Sequence, residues 1–168
     1  MKKNIFIFSM LCLLLITSCA VDEQCREKKT VNTIIGFYHI VKSVTGDTIT
    51  SSSLTIDTIT IRGLKYDDTS KTNISMDSIL YDNSIANISL PLNKINTESK
   101  FEITFKNRIK DTISVLHENS NQYLSLECGC IKVFKLDTVL TTNHFIDSIR
   151  IKNPIVNTTD AENIRLYK

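Results

Sequence analysis

Three cysteines and three histidines carry most of the chemistry this chain could perform behind its first twenty residues. Cys25 stands alone, Cys128-Gly129-Cys130 places two thiols two residues apart, and His39, His117 and His144 are scattered singly. In an oxidising compartment a disulfide is the default state of such thiols, and three of them leave one over. A Cys25–Cys128 bridge would pin the N-terminal segment to the domain and leave Cys130 as the extra thiol. The competing chemistry is a redox pair made by Cys128 and Cys130. That pairing asks for a strained bridge between residues two apart, and no helix N-terminus is legible nearby to lower a thiol pKa. Metal binding needs ligands beyond a Cys-x-Cys, and the histidines lack ligand spacing, so no metal and no cofactor is expected. The chain has no Gly-x-Ser-x-Gly elbow, no His-Glu-x-x-His and no phosphate-cradling glycine loop. No catalytic residue is assigned, and a non-enzymatic protein is expected.

A fourth cysteine has a different role. Lys2 and Lys3 precede an apolar stretch of twelve residues, Ile5 to Ile16, interrupted by Ser9. That is the build of a signal peptide, and it falls short of the roughly 20 apolar residues that span a bilayer core as a helix. Ile16-Thr17-Ser18-Cys19 follows and resembles the lipobox of bacterial lipoproteins, with Ile where Leu is usual. Small residues before the cut admit a peptidase, and the Cys19 thiol is the nucleophile that takes the diacylglyceryl group. Residues 1–18 are therefore read as a lipoprotein signal peptide, 19–29 as a lipidated tether and 30–168 as one domain. Ala20 after the lipidated cysteine is not an inner-membrane retention aspartate. Asp22 and Glu23 resemble a short acidic surface-export signal, so the outer membrane is expected, with the surface-facing orientation slightly favoured over the periplasmic one.

Charge and composition narrow the partners. The chain has 20 basic and 18 acidic residues. Lys2 and Lys3 leave with the signal peptide, so 20 − 2 against 18 gives a mature chain of zero formal net charge. A nucleic-acid binder would show a basic surplus on one face. There is no Trp, which removes a Trp-based glycan platform. The partners that remain are the membrane, through the lipid, and another envelope protein.

The elements that must position these residues are strands. Apolar residues alternate with polar ones in Phe101–Phe105, Ile88–Leu92 and Ile149–Ile151, and comparable runs lie at 31–41, 54–61, 112–116, 123–128, 131–136 and 164–167. About nine short strands result, with a bend after Ile56, where the apolar phase flips, and polar loops at 66–73, 118–122 and 157–162. No stretch has helical periodicity long enough for a core helix. The fold class predicted is all-β, an antiparallel β-sandwich, immunoglobulin-like or similar, with a small β-barrel as the alternative.

One pattern recurs beyond what composition explains. Asp-(Thr/Ser)-(Ile/Val) occurs six times, beginning at Asp47, Asp57, Asp77, Asp111, Asp137 and Asp147, at irregular intervals. Asp favours turns and β-branched residues favour strands, so each copy should open a strand. The same tripeptide resembles an O-glycosylation sequon of Bacteroidota, which would make Thr48, Thr58, Ser78, Thr112, Thr138 and Ser148 acceptor hydroxyls.

Leu90-Pro91-Leu92-Asn93, Cys128-Gly129, His144 to Ile149, Asn153 to Val156 and Asn163-Ile164, taken with the lipobox, resemble a family of small Bacteroidota lipoproteins known as DUF6452. The resemblance implies an uncharacterised lipoprotein and brings no activity, substrate or catalytic residue with it. The functional expectation is an outer-membrane-anchored lipoprotein acting as a non-catalytic binding or structural module of the cell envelope. The alternative is a thiol-disulfide redox protein using Cys128 and Cys130.

Overall fold

A computed structural model describes residues 25–42, 49–67, 72–81, 84–106 and 108–168. It contains eleven strands and, among the described residues, no helix. In chain order they are β1 Asn32–Lys42, β2 Ile49–Ser53, β3 Ile59–Asp67, β4 Thr72–Tyr81, β5 Asn87–Pro91, β6 Glu98–Phe105, β7 Lys110–Ser125, β8 Gly129–Thr141, β9 Ser148–Ile151, β10 Ile155–Val156 and β11 Glu162–Tyr167.

The strands form two sheets. In the first, the order is β2-β1-β11-β9, with β5 also paired to β1. β5 takes Asn32 to Gly36 and β2 takes Tyr38 to Lys42, both on the side of β1 opposite β11. Phe37 is the handover residue: its amide donates to Ala86 O and its carbonyl accepts from Leu54 N. The second sheet runs β10-β8-β7-β6-β3-β4. Inward residues of both sheets meet in one core. Ile35, Leu90, Ile164 and Leu166 from the first sheet share one buried cluster with Ile59, Ile61, Ile103 and Ile113 from the second, and Phe37 packs edge-on to Phe105 at 6.4 Å. The β6 and β7 alternation of buried and half-buried residues is the period of two expected of a sheet with one face on a core.

The two sheets do not close into a barrel, and the sandwich expectation holds, with differences in detail. β1 and β11 pair in parallel, a long-range partnership that no local pattern encodes. The polar segment Glu118–Gln122, predicted as a loop, lies inside β7 and pairs with β8 residues 131–135. Along this stretch the core contact is made by the β8 partners Ile131 and Phe134, while the β7 side chains other than Asn119 are exposed, so β7 shows no apolar alternation of its own. β2, β4 and β10 are strands beyond the nine expected; in β4 the pairing shifts, with Arg62 facing Ser78 while Leu64 faces Ser75, and a bulge of this kind breaks the alternation. The bend after Ile56 is present, since Ile56 makes an isolated bridge to Ile85 and β3 begins at Ile59.

The recurrent tripeptide sorts into two groups. Ile59 opens β3, Asp111 and Thr112 are the second and third residues of β7, Ser148 opens β9 and Ile49 opens β2. Asp77 and Asp137 are inside strands, and each falls where the register shifts, Asp137 between Leu136, facing His117, and Thr138, facing Leu116. The aspartate therefore marks where regular pairing begins or resumes. The reading as a strand opener alone is corrected to that extent.

Candidate functional site: an apolar cleft between the sheets

Sheet one presents β5 and sheet two presents β4 along the same side of the sandwich, and the sheets part there. The opening is a cleft of about 480 Å³. Leu90, Pro91 and Leu92 form one wall, Ile61, Gly63 and Phe101 the floor, and Met76 and Ile79 the other wall. Met76 is 59% and Ile79 40% exposed, a large apolar area for the edge of a sandwich. Gly63 keeps the floor low. A Cβ there would meet Met76 Cβ at 3.6 Å, an ordinary contact that would narrow the cleft without a clash. At the rim, Lys100 Nζ pairs with Glu98 Oε1 at 3.2 Å. The Ser114 hydroxyl, donating to Glu98, holds that carboxyl below its usual range, with Lys100 adding to the effect against partial burial.

The strand beside the cleft is an edge strand among the described residues. β4 pairs with β3, and no other described strand pairs with its far side. Unpaired N–H and C=O groups next to exposed Met76 and Ile79 are the materials for strand addition, in which main-chain bonds give affinity and side-chain pockets give specificity.

At the end of the cleft lies a polar network that sequence reading missed. The Asn93 amide donates to Ser99 Oγ at 2.7 Å, and Ser99 Oγ lies 2.8 Å from His117 Nε2. His117 Nδ1 lies 2.7 Å from Asn119 Oδ1, and Asn119 Nδ2 donates to the carbonyls of Asn93 and Asn96. Since Asn119 uses its amide nitrogen on carbonyls, its oxygen must accept, so His117 carries its proton on Nδ1 and accepts from Ser99 on Nε2. Every group is satisfied by a neutral imidazole. Burial pushes the His117 pKa down, only partly offset by Asn119, and Phe134 meets the ring edge-on at 5.2 Å.

The connectivity of Ser99, His117 and Asn119 is that of a nucleophile, a base and an orienter. Its surroundings favour a structural role. Ser99 is 5% exposed and His117 2%, and the amide donor at Ser99 is spent on the resting hydroxyl. The network closes on the turn from Asn93 to Asn96, which Asn93 Oδ1 tightens by accepting the Ile95 and Asn96 amides.

The structure joins Cys25 to Cys128 and leaves Cys130 as an exposed free thiol. Cys19 and Thr48 lie outside the described residues. Of the other candidate acceptors, Thr138 and Ser148 are exposed and Thr58 and Thr112 half-buried; Ser78 lies on β4. His39 is exposed, and His144 rests on Asp111 and Thr142. No cluster of three metal-ligating side chains occurs among the described residues, nor does any described helix long and apolar enough to cross a membrane.

Residues 58–168 match a family of unknown function, DUF6452, and the chain belongs to that family. The match begins just before β3, so β1 and β2 lie ahead of it. Neither a curated protein nor a solved structure matches the chain. The residues that carried the resemblance have structural work. Asn163 Nδ2 donates to the Asn153 and Ile155 carbonyls while its Oδ1 accepts the Ile34 amide. Gly129 takes φ +70° at the β7–β8 turn, where a side chain would be strained.

Proposed function

We propose that this member of the DUF6452 family is a lipid-anchored, non-catalytic binding module of the outer membrane. Cys19 holds it to the lipid, and the cleft between β4 and β5 takes an extended apolar segment of another envelope protein. The observation that carries the binding reading is the cleft itself, lined by Leu90, Leu92, Met76 and Ile79 and flanked by β4, an edge strand among the described residues. An extended segment satisfies both features at once, adding main-chain bonds to β4 and seating alternate side chains between the sheets. The anchor rests on Ile16-Thr17-Ser18-Cys19, and the outer-membrane, surface-facing placement on Ala20, Asp22 and Glu23.

A photo-crosslinking residue at Met76 in intact host cells tests the cleft. Adducts should map to one extended apolar segment of one protein and disappear when Ile79→Glu is added. Adducts no more frequent than from Thr138, or spread over lipids, would contradict it.

The redox alternative requires Cys128 to pair with Cys130. Peptide mapping without reductant separates the two: a Cys25–Cys128 peptide supports the structural bridge, and a Cys128–Cys130 peptide with Cys25 free supports redox chemistry. Glycosylation remains part of the proposal, with exposed Thr138 and Ser148 as the favoured acceptors. Intact mass of host-expressed protein before and after β-elimination reads it directly.

A further inference from the structure

We infer that the tip of the β7–β8 hairpin is the face that meets the lipid surface, with Leu126 entering the headgroup region and Tyr123 flanking it. This rests on the lipid anchor proposed above. The disulfide fastens Cys25 to Cys128, in the turn of that hairpin. Cys19 is six residues before Cys25, and six residues reach at most about 22 Å when fully extended. A lipid on Cys19 therefore keeps the turn close to the bilayer whatever path the intervening residues take.

The turn also has the side chains for such a surface. Leu126 is 89% exposed and Tyr123 59%. Tyrosine rings favour the membrane interface, where one end is apolar and the other wet. Beyond β10's contact with Phe134 and Lys135, β8 residues 129–133 pair only with β7 among the described strands, and while Ile131 still turns to the core, Tyr123, Leu126 and Cys130 at the tip are exposed. The hairpin's opposite end is well removed. Leu140, 56% exposed, is eleven residues along β8 from Gly129, or about 36 Å at the rise of a strand.

The absence of Trp from the chain makes a single Trp a clean reporter. Lipidated Leu126→Trp and Leu140→Trp proteins, extracted from the host, would be reconstituted into vesicles of phosphatidylethanolamine with brominated phosphatidylcholine. Both should float with the vesicles. Leu126→Trp emission should shift to the blue and be quenched at least about twofold more than Leu140→Trp, as for a side chain buried a few ångströms into the interface. Flotation with equal quenching at the two positions would overturn the inference and leave the anchor standing. Failure to float would remove the anchor reading and this inference together.

Discussion

Asp111 holds Ile146 in the core: its Oδ2 accepts the Ile146 backbone amide at 2.9 Å and that of Phe145 at 2.7 Å. Its Oδ1 accepts from the His144 amide and the Thr142 hydroxyl. A fully buried carboxylate thus fixes the segment that carries the chain from β8 in one sheet to β9 in the other, and lets Phe145 stack on Phe105 with centroids 4.0 Å apart. Burial alone would raise the Asp111 pKa, but these backbone and hydroxyl donors outweigh it and hold the carboxyl below its usual range. Asp111→Ala strands several buried donors and should cost about 3–5 kcal/mol. Guanidinium denaturation of the unlipidated chain checks it, and an unchanged midpoint would show that the crossover needs no pin.

His117 should make the fold acid-sensitive in the range below neutrality. Its folded pKa lies below the ordinary 6.5 because burial disfavours the imidazolium. The unfolded chain therefore takes up a proton first as pH falls through 6.5, and stability declines from there toward the lower folded value. Asp111, with its folded pKa also depressed, adds its own loss only below the ordinary 3.8. His117→Gln should flatten the denaturation midpoint between pH 7 and pH 5, whereas a slope equal to wild type would assign the sensitivity elsewhere.

Thr33 offers a change of the opposite sign. It is fully buried on β1 opposite Leu90, and its Oγ1 is a buried side-chain oxygen with no hydrogen-bond partner among the described residues. Thr33→Val keeps the shape and removes the unpaired hydroxyl, so a gain of about 1 kcal/mol is expected. A loss on thermal melting would mean that the hydroxyl is satisfied in solution.

How much of this was legible depends on the range of the signal. The alternation of Phe101–Phe105 is local and marked β6 correctly, and the phase flip after Ile56 marked a real bend. Glu118–Gln122 has no apolar alternation, because there the core contact is made by the β8 partners Ile131 and Phe134 and not by β7 itself. β4 was hidden by its own bulge at Ser75 to Ser78. The cleft depends on β4 and β5 arriving at the same side of the sandwich, and the parallel β1–β11 pair joins the two ends of the domain; neither relation leaves a trace in neighbouring residues. The Ser99–His117–Asn119 network was missed for the same reason. Asn119 falls inside a polar segment without strand alternation, and Ser99 in a strand gives no sign that it faces a histidine eighteen positions on.

Growth of the native host with labelled palmitate tests the central claim, that Cys19 carries the lipid that makes this β-sandwich an envelope protein. Label should appear in the protein, vanish in Cys19→Ala, and its loss should move the domain from the membrane fraction to the soluble one. A wild-type chain recovered unlabelled and soluble would contradict the account.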